Sequence, residues 1–506
     1  MMDFTPLVRP WFSHLSATAS GWRGNTGAVQ RRVLASLISR GRKTLWGETH
    51  GFGNVDSYED FIRAIPDPVA YPEIRGLVMR MVNGEADILW PGVTRRYAQS
   101  SGTSDGKSKY IPVTDASLRE CHYRGGSHVI ASYLRLYPDS RLFAGKSFIL
   151  GGSFATELTT PPGVRVGDLS ANLIEKINPL ANLVRVPSRQ VALMPDWEKK
   201  LPALIEASVR CDITNISGVP SWFLTVLKGV LEHTGASTIH DVWPNLEVFF
   251  HGGIAMAPYR SEYARITRRE KMRYINCYNA SEGFFGVQDT IGSETMLLLL
   301  DAGTFYEFQP LGGGDPVPAW KVEEGEIYSL IITSCNGLWR YPVGDTVRIE
   351  SVDPLRISIA GRTKSFINAF GEELMVDNAD TAITQVCAET GATVANYTAA
   401  PVYAEGNRRG RHEWLIEFSR EPASLDDFAD RLDKALQNVN SDYEAKRSHG
   451  IFLDRLTIVK GRPGVFDAWL ASTGRLGGQR KVPRLSNSRH PMDEMLRFNS
   501  VQTTSN

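Results

Sequence analysis

The sequence has no surplus charge of either sign: 56 lysines and arginines balance 56 aspartates and glutamates over 506 residues. That balance excludes a general attraction to nucleic acid or to an anionic membrane, so any phosphate site has to be built locally. Cysteine is scarce as well. The five, Cys121, Cys211, Cys277, Cys335 and Cys387, are odd in number and widely spaced, and no C-x-x-C occurs. The pattern argues against a disulfide framework or a zinc site and suits a reducing cytoplasm. Long apolar runs are missing too. The longest strongly apolar one, Met296–Leu300, falls far short of a bilayer span. The opening residues, MMDFTPLVRPWFSHLS, lack the charged lead and apolar core of a secretory signal. The expectation is a soluble, cytoplasmic protein with no nucleic-acid or membrane partner.

What is present is an ordinary globular composition, 42% hydrophobic and 22% charged. A chain of this length buries roughly 75% of its unfolded surface and needs neither disulfide nor metal to fold. Helical stretches are expected at 29–39 and 57–65, and over 115–134 with Thr114 as N-cap. In the middle, β-like runs at 213–216, 246–250 and 273–276 alternate with helical segments at 221–233 and 258–269. That alternation predicts a parallel sheet with right-handed crossovers, whose ligands sit at the carboxyl ends of the strands. Those ends carry Ser217-Gly218, Gly252-Gly253 and Ser281-Glu282. Runs at 326–333 and 339–349, joined by the turn dipeptide Asn336-Gly337, predict a small antiparallel β subdomain. From about 360 to 485 a smaller α+β domain is expected, with strands at 413–418 and 456–459 and a helix at 424–438. The expected division is 1–358 and 359–506.

Five stretches carry chemistry. Ser100-Ser101-Gly102-Thr103-Ser104-Asp105-Gly106-Lys107-Ser108-Lys109 offers two glycines, several hydroxyls and two lysines, the ingredients of a phosphate cradle. It is not a Walker A loop. Three residues rather than four separate its glycines, and an extended segment, not a helix, follows. Alone it reads also as a Ser/Gly surface linker. Tyr278-Asn279-Ala280-Ser281-Glu282-Gly283 ends a sheet strand, where one carboxylate suits Mg²⁺ and an aromatic ring suits a purine, or where Glu282 caps a helix. Gly344-Asp345 fixes one acceptor-only carboxylate, as a ribose needs, or is a plain hairpin turn. Gly361-Arg362-Thr363-Lys364 lies where the domains join, and a loop from Gly474 to Arg484 carries Lys481.

In order, S-S-G-T-S-x-G-x-x-K, Y-x-x-S-E and G-D-x-V resemble the motif set of the auxin-responsive, or Gretchen Hagen, family of acyl acid–amido synthetases. These belong to the acyl-adenylating superfamily, with the acyl-CoA synthetases. The tract from Gly361 to Glu373 resembles bacterial members. The resemblance implies an α/β acyl-adenylating fold, with a large N-terminal domain and a smaller mobile C-terminal one. It implies ATP and Mg²⁺, a carboxylic acid activated as acyl-AMP, and transfer to an amine, usually an amino acid. Transfer to a thiol, or a non-catalytic nucleotide-binding descendant, are the alternatives.

Carried over position by position, Ser100, Ser101, Gly102, Thr103, Ser104 and Lys109 face the phosphates. Cys277, Tyr278, Asn279, Ala280 and Ser281 border the adenine, with Glu282 on Mg²⁺. Asp345 holds the ribose, Gly252 and Gly253 line the nucleotide wall, and Arg362 is a further nucleotide-binding candidate. Lys481, or else Lys364, stabilises charge on the α-phosphate. A base for the amine is unassigned, with His122, His128 and His251 available. The acyl pocket is expected between helix 116–133 and the sheet, near 219–223. A monomer or weak homodimer is expected.

Overall fold

The computed structural model describes residues 3–500, apart from 101–108, 155, 157, 255, 269, 312, 363–365, 406–407, 449–452 and 473–481. They form two compact units: 3–100, 109–256 and 263–362 make the first, and 257–262 with 366–500 make the second.

The first unit is organised by strands β1 (Arg96–Ser100), β2 (Lys109–Pro112), β3 (Lys146–Ile149), β4 (Arg165–Gly167), β5 (Arg185–Val186), β6 (Ile213–Gly218), β7 (Val248–Gly252), β8 (Arg273–Ala280), β9 (Gly283–Gln288), β10 (Met296–Leu298), β11 (Thr304–Pro310), β12 (Val317–Pro318), β13 (Ile327–Ser334), β14 (Leu338–Val352) and β15 (Leu355–Arg362). Twelve of them build one sheet in the order β12-β11-β13-β14-β15-β10-β9-β8-β7-β6-β3-β5. The run β5-β3-β6-β7-β8 is parallel, as the strand–helix alternation predicts. The rest is antiparallel. The expected small β subdomain is therefore the antiparallel half of the same sheet, joined to the parallel half through β9 and β10.

Local chemistry sets the boundaries. Helix Pro220–Thr234 starts with proline, whose missing N–H costs nothing there, and ends at Gly235 with φ +70°. Ser57 and Asp60 form a capping box on helix Tyr58–Ala64. The central strands β6 and β7 carry runs of buried residues, including Ile213, Ile216, Val248 and Phe249, as expected when both faces of a sheet are covered.

Three expectations need correction. β8 continues to Ala280 instead of ending at Asn276, because its last four residues pair with β9. Gly344-Asp345 is not a hairpin turn but lies inside β14. The alternating buried Tyr341, Val343, Val347 and Ile349 carry the strand through, and Gly344 absorbs a bend at φ +94°. The helix after the first loop is not uniformly α. It passes through a π-helical turn, Ser117–Tyr123, before the α-helix Arg124–Leu136. β15 runs unbroken from Leu355 to Arg362.

The second unit has strands β16 (Phe366–Ile367), β17 (Leu374–Met375), β18 (Thr393–Val402), β19 (Arg411–Arg420) and β20 (Thr457–Gly461). β18, β19 and β20 form its main sheet, against which helices Val376–Thr390 and Leu425–Val439 bury Ala382, Val386, Phe428 and Leu432. The expected strands and helix at 413–438 and 456–459 are all present. Among the described residues, no helix is long and apolar enough to cross a membrane.

Candidate functional site

The first sequence motif is flanked by two paired strands. β1 and β2 pair antiparallel with Ser100 directly opposite Lys109, so the two ends of the Ser/Gly stretch are held together. Ser101, Gly102, Thr103 and Ser104 lie outside the described residues. The base is anchored on both sides. The amide of Tyr110 donates to the Tyr71 hydroxyl at 2.7 Å, and Asn172 Nδ2 donates to the Tyr97 carbonyl at 3.2 Å. Lys109 Nζ donates to the hydroxyl of Tyr341 at 3.1 Å.

β7 and β8, which carry the next candidates, pair in parallel. Gly252 stands opposite Cys277, and a Cβ on Gly252 would lie 2.5 Å from the Cys277 carbonyl and 2.8 Å from Asn279 Oδ1. Gly253 follows at φ +82°, a left-handed conformation that favours glycine. Cys277 Sγ donates to the His251 carbonyl at 3.2 Å, and burial pushes its thiol up to about 12. Cys277 is thus a neutral thiol and not a nucleophile.

Tyr278 is buried, with its ring centre 5.0 Å from that of Phe285 in an edge-on arrangement. Its hydroxyl donates to Asp345 Oδ2 at 2.6 Å. Asp345 is itself buried and stands across the ladder from Arg362, whose side chain lies outside the described residues.

Asn279 and Ala280 pair with Phe284 and Gly283, leaving Ser281 and Glu282 as the two-residue turn between β8 and β9. The Glu282 carbonyl accepts from Asn336 Nδ2 at 3.0 Å, in the turn between β13 and β14. Thr114 links that turn to the helix after the first loop. Its hydroxyl donates to the Cys335 carbonyl at 2.7 Å and accepts from the Ser117 amide at 2.9 Å, the expected N-cap. From the same helix, Cys121 Sγ accepts from the Phe284 amide at 3.1 Å. Lys364 and Lys481 lie outside the described residues.

From sequence Asn336 is only part of a turn dipeptide, and Tyr341 has no assigned role. Tyr341 sits in the very stretch that contains Gly344-Asp345. No spacing rule marks it, because its partner Lys109 is 232 residues away.

Three models of one family match the chain in register: the GH3 family N-terminal domain over 22–201, the central domain over 297–362 and the C-terminal domain over 377–490. The chain belongs to the GH3 family. The GH3 N-terminal match contains the hairpin with Ser100 and Lys109, and the central match contains Tyr341 and Asp345. Gly252, Tyr278 and Glu282 lie between these two matches. The indole-3-acetic acid-amido synthetase GH3.3 of Arabidopsis thaliana is 22% identical over 570 residues, spanning 95% of this chain and 92% of its own. The solved AtGH3.15 acyl acid amido synthetase in complex with 2,4-DB superposes with a TM-score of 0.63 at 18% identity, covering 96% of each chain. A 2-hydroxyisobutyryl-CoA ligase, solved with 2-HIB-AMP and CoA, has a TM-score of 0.58 at 14% identity and covers 93% and 91%. At these identities the two structures establish that GH3 and acyl-adenylating ligase chains share this fold.

Proposed function

We propose that this GH3 chain is an ATP-dependent ligase that activates a carboxylic acid as an acyl-adenylate and passes the acyl group to an amine, an amino acid in the first instance. The observation that carries the reading is the meeting of three separated motifs on one strand. Lys109 of the first is bonded to Tyr341 of β14, and Tyr278 of the second is bonded to Asp345 of the same strand. GH3 relatives named as amido synthetases support an amine as acceptor.

In this reading a carboxylate oxygen attacks the α-phosphorus of ATP and pyrophosphate leaves. The amine nitrogen then attacks the acyl carbon and AMP leaves. Attack on a polyanion calls for charge neutralisation more than for a base. Lys109 supplies an ammonium at the phosphates, and the Asp345 carboxylate accepts from the ribose hydroxyls. The Glu282 carboxylate fits Mg²⁺, which takes one or two protein oxygens and fills its shell from phosphate and water. That ion would neutralise phosphate charge. The turn carrying Glu282 is tied down by Asn336, as a metal-facing carboxylate needs. Lys481, with Lys364 as its rival, is assigned the α-phosphate. Residues 1–358 are read as the nucleotide-holding domain and 359–506 as the domain that closes over it. The protein is read as cytoplasmic.

The test is acid-dependent ATP–pyrophosphate exchange across a panel of aromatic and medium-chain acids, followed by amino acids or coenzyme A. Exchange with at least one acid, and an amide formed with an amino acid, is expected. Consumption of the adenylate by coenzyme A alone would reassign the acceptor. Silence with every acid would leave a nucleotide-binding relative.

A further inference from the structure

β14 does not run evenly past β13. Ile332 faces Tyr341 and Ser334 faces Leu338, so the single residue Thr333 lies opposite two, Trp339 and Arg340. Arg340 takes up the extra residue at φ +45°, a conformation rare for a side chain of this size. Its guanidinium explains why the bulge persists. Arg340 is 1% exposed and Glu307 0%. Arg340 Nε and Nη2 pair with the two Glu307 oxygens at 2.9 and 2.8 Å, and Nη1 donates to the Ile65 carbonyl at 2.7 Å and to that of Pro66. Tyr58 donates to Glu307 Oε1 at 2.9 Å, and the Arg340 amide donates to Thr333 Oγ1 at 2.9 Å. A buried ion pair of this kind is a poor source of net stability, since apolar residues of the same volume often do as well. It does hold a strained backbone in one place.

The next residue is Tyr341, 1% exposed, whose hydroxyl accepts from Lys109 Nζ at 3.1 Å and whose ring centre lies 5.7 Å from that nitrogen. A lysine stem carries about 2 kcal/mol of rotamer entropy. Among the described residues one phenol oxygen restrains the ammonium, and a lysine ammonium has two further N–H donors to offer a ligand. We propose that Tyr341 is a positioning residue for the Lys109 ammonium, and that the bulge at Arg340, pinned by Glu307, sets where Tyr341 stands. This rests on the reading of Lys109 as the cation that faces the phosphates.

Two measurements on the full chain test it. Trace acetylation with acetic anhydride, read by peptide mass spectrometry, reports the freedom of each lysine without any activity. In Tyr341→Phe the labelling of Lys109 relative to Lys146 should rise roughly three- to tenfold, the worth of one hydrogen bond. Arg340→Met single variants would leave Glu307 unpaired, so the bulge is tested with the double change Arg340→Met and Glu307→Leu, which should raise Lys109 labelling similarly. Unchanged labelling in Tyr341→Phe overturns the proposal, and unchanged labelling in the double variant removes the bulge from it. Pyrophosphate exchange supplies the second measurement. Tyr341→Phe should lower kcat about tenfold with KM for ATP little changed, and should have no further effect in a Lys109→Met background. Multiplicative losses in the double variant would make Tyr341 merely structural. If the unaltered chain exchanges with no acid, the ligase reading fails while the labelling result still decides Tyr341.

Discussion

The hydroxyl of Tyr278, in the last turn-ward residues of β8, donates a 2.6 Å hydrogen bond to Oδ2 of Asp345 in the middle of β14. Strands β9, β10 and β15 lie between β8 and β14 in the sheet, so the bond spans the seam between its parallel and antiparallel halves. It fixes Oδ2 of Asp345 in place. Tyr278→Phe should therefore raise KM for ATP roughly three- to tenfold, with kcat less affected. The ring contact with Phe285 survives the change, so the loss in stability should stay near 1 kcal/mol. ATP titration of the exchange reaction and a denaturant melt measure both. An unaltered KM would detach Asp345 from the nucleotide.

Glu282 is 8% exposed, in a tight turn whose backbone, not its carboxylate, is held by Asn336. Glu282→Ala should abolish adenylation while keeping a normal melting profile. Asn336→Ala should cost stability, about 1–3 kcal/mol for a buried amide whose partners are left behind, and lower exchange only in part. Near-normal exchange in Glu282→Ala would remove the metal role.

Much of this was legible in the sequence for a definite reason. Period-2 runs and glycine-punctuated strand ends are local signals, so β6, β7, β13, β14, helix Pro220–Thr234 and the parallel order of the central strands could be anticipated. The extended segment after Lys109, which excluded a Walker A loop, is β2. Errors came where a local signal met a longer-range one. Gly344-Asp345 looks like a turn until the flanking Tyr341, Val343, Val347 and Ile349 are counted as one buried face. Cys277–Ala280 looks like a loop because β9 is needed to make it a strand. The buried Arg340–Glu307 pair and the Lys109–Tyr341 bond were invisible, since each joins residues far apart in sequence that pattern alone does not couple.

Gly252 offers a steric test of the proposed nucleotide wall. A methyl there would meet the Cys277 carbonyl at 2.5 Å and the Asn279 amide oxygen at 2.8 Å, backbone and a short side chain that cannot swing away freely. Gly252→Ala should push β7 from β8 at their carboxyl ends, destabilising by about 1–3 kcal/mol and weakening ATP binding. Thermal melts with and without ATP measure both effects. A variant of full stability would show that the two strands can separate without cost there.

His122 and His128 sit in the helix that follows the hairpin, 4% and 3% exposed. Burial pushes both imidazoles down to about 4, for His128 against the opposing pull of Asp301, whose Oδ1 is 3.9 Å from its Nε2. Their pKa in an unfolded chain is about 6.5. Between pH 6.5 and 4 the unfolded chain therefore binds protons that the native state refuses. Stability is full above pH 6.5 and falls as the pH drops toward 4, by up to about 1.4 kcal/mol per pH unit for each histidine. Nδ1 of His122 is buried without a hydrogen-bond partner among the described residues, so replacing the ring forfeits no bond at that atom. His122→Leu should accordingly flatten the pH dependence of the unfolding free energy by one proton over this window, as read from urea titrations at pH 7, 6, 5 and 4.5. The same acid slope in the variant would mean that His122 takes up its proton in the native state. An imidazole that did so inside this helix would have water or an anion beside it, which would return it to contention as the base for the incoming amine.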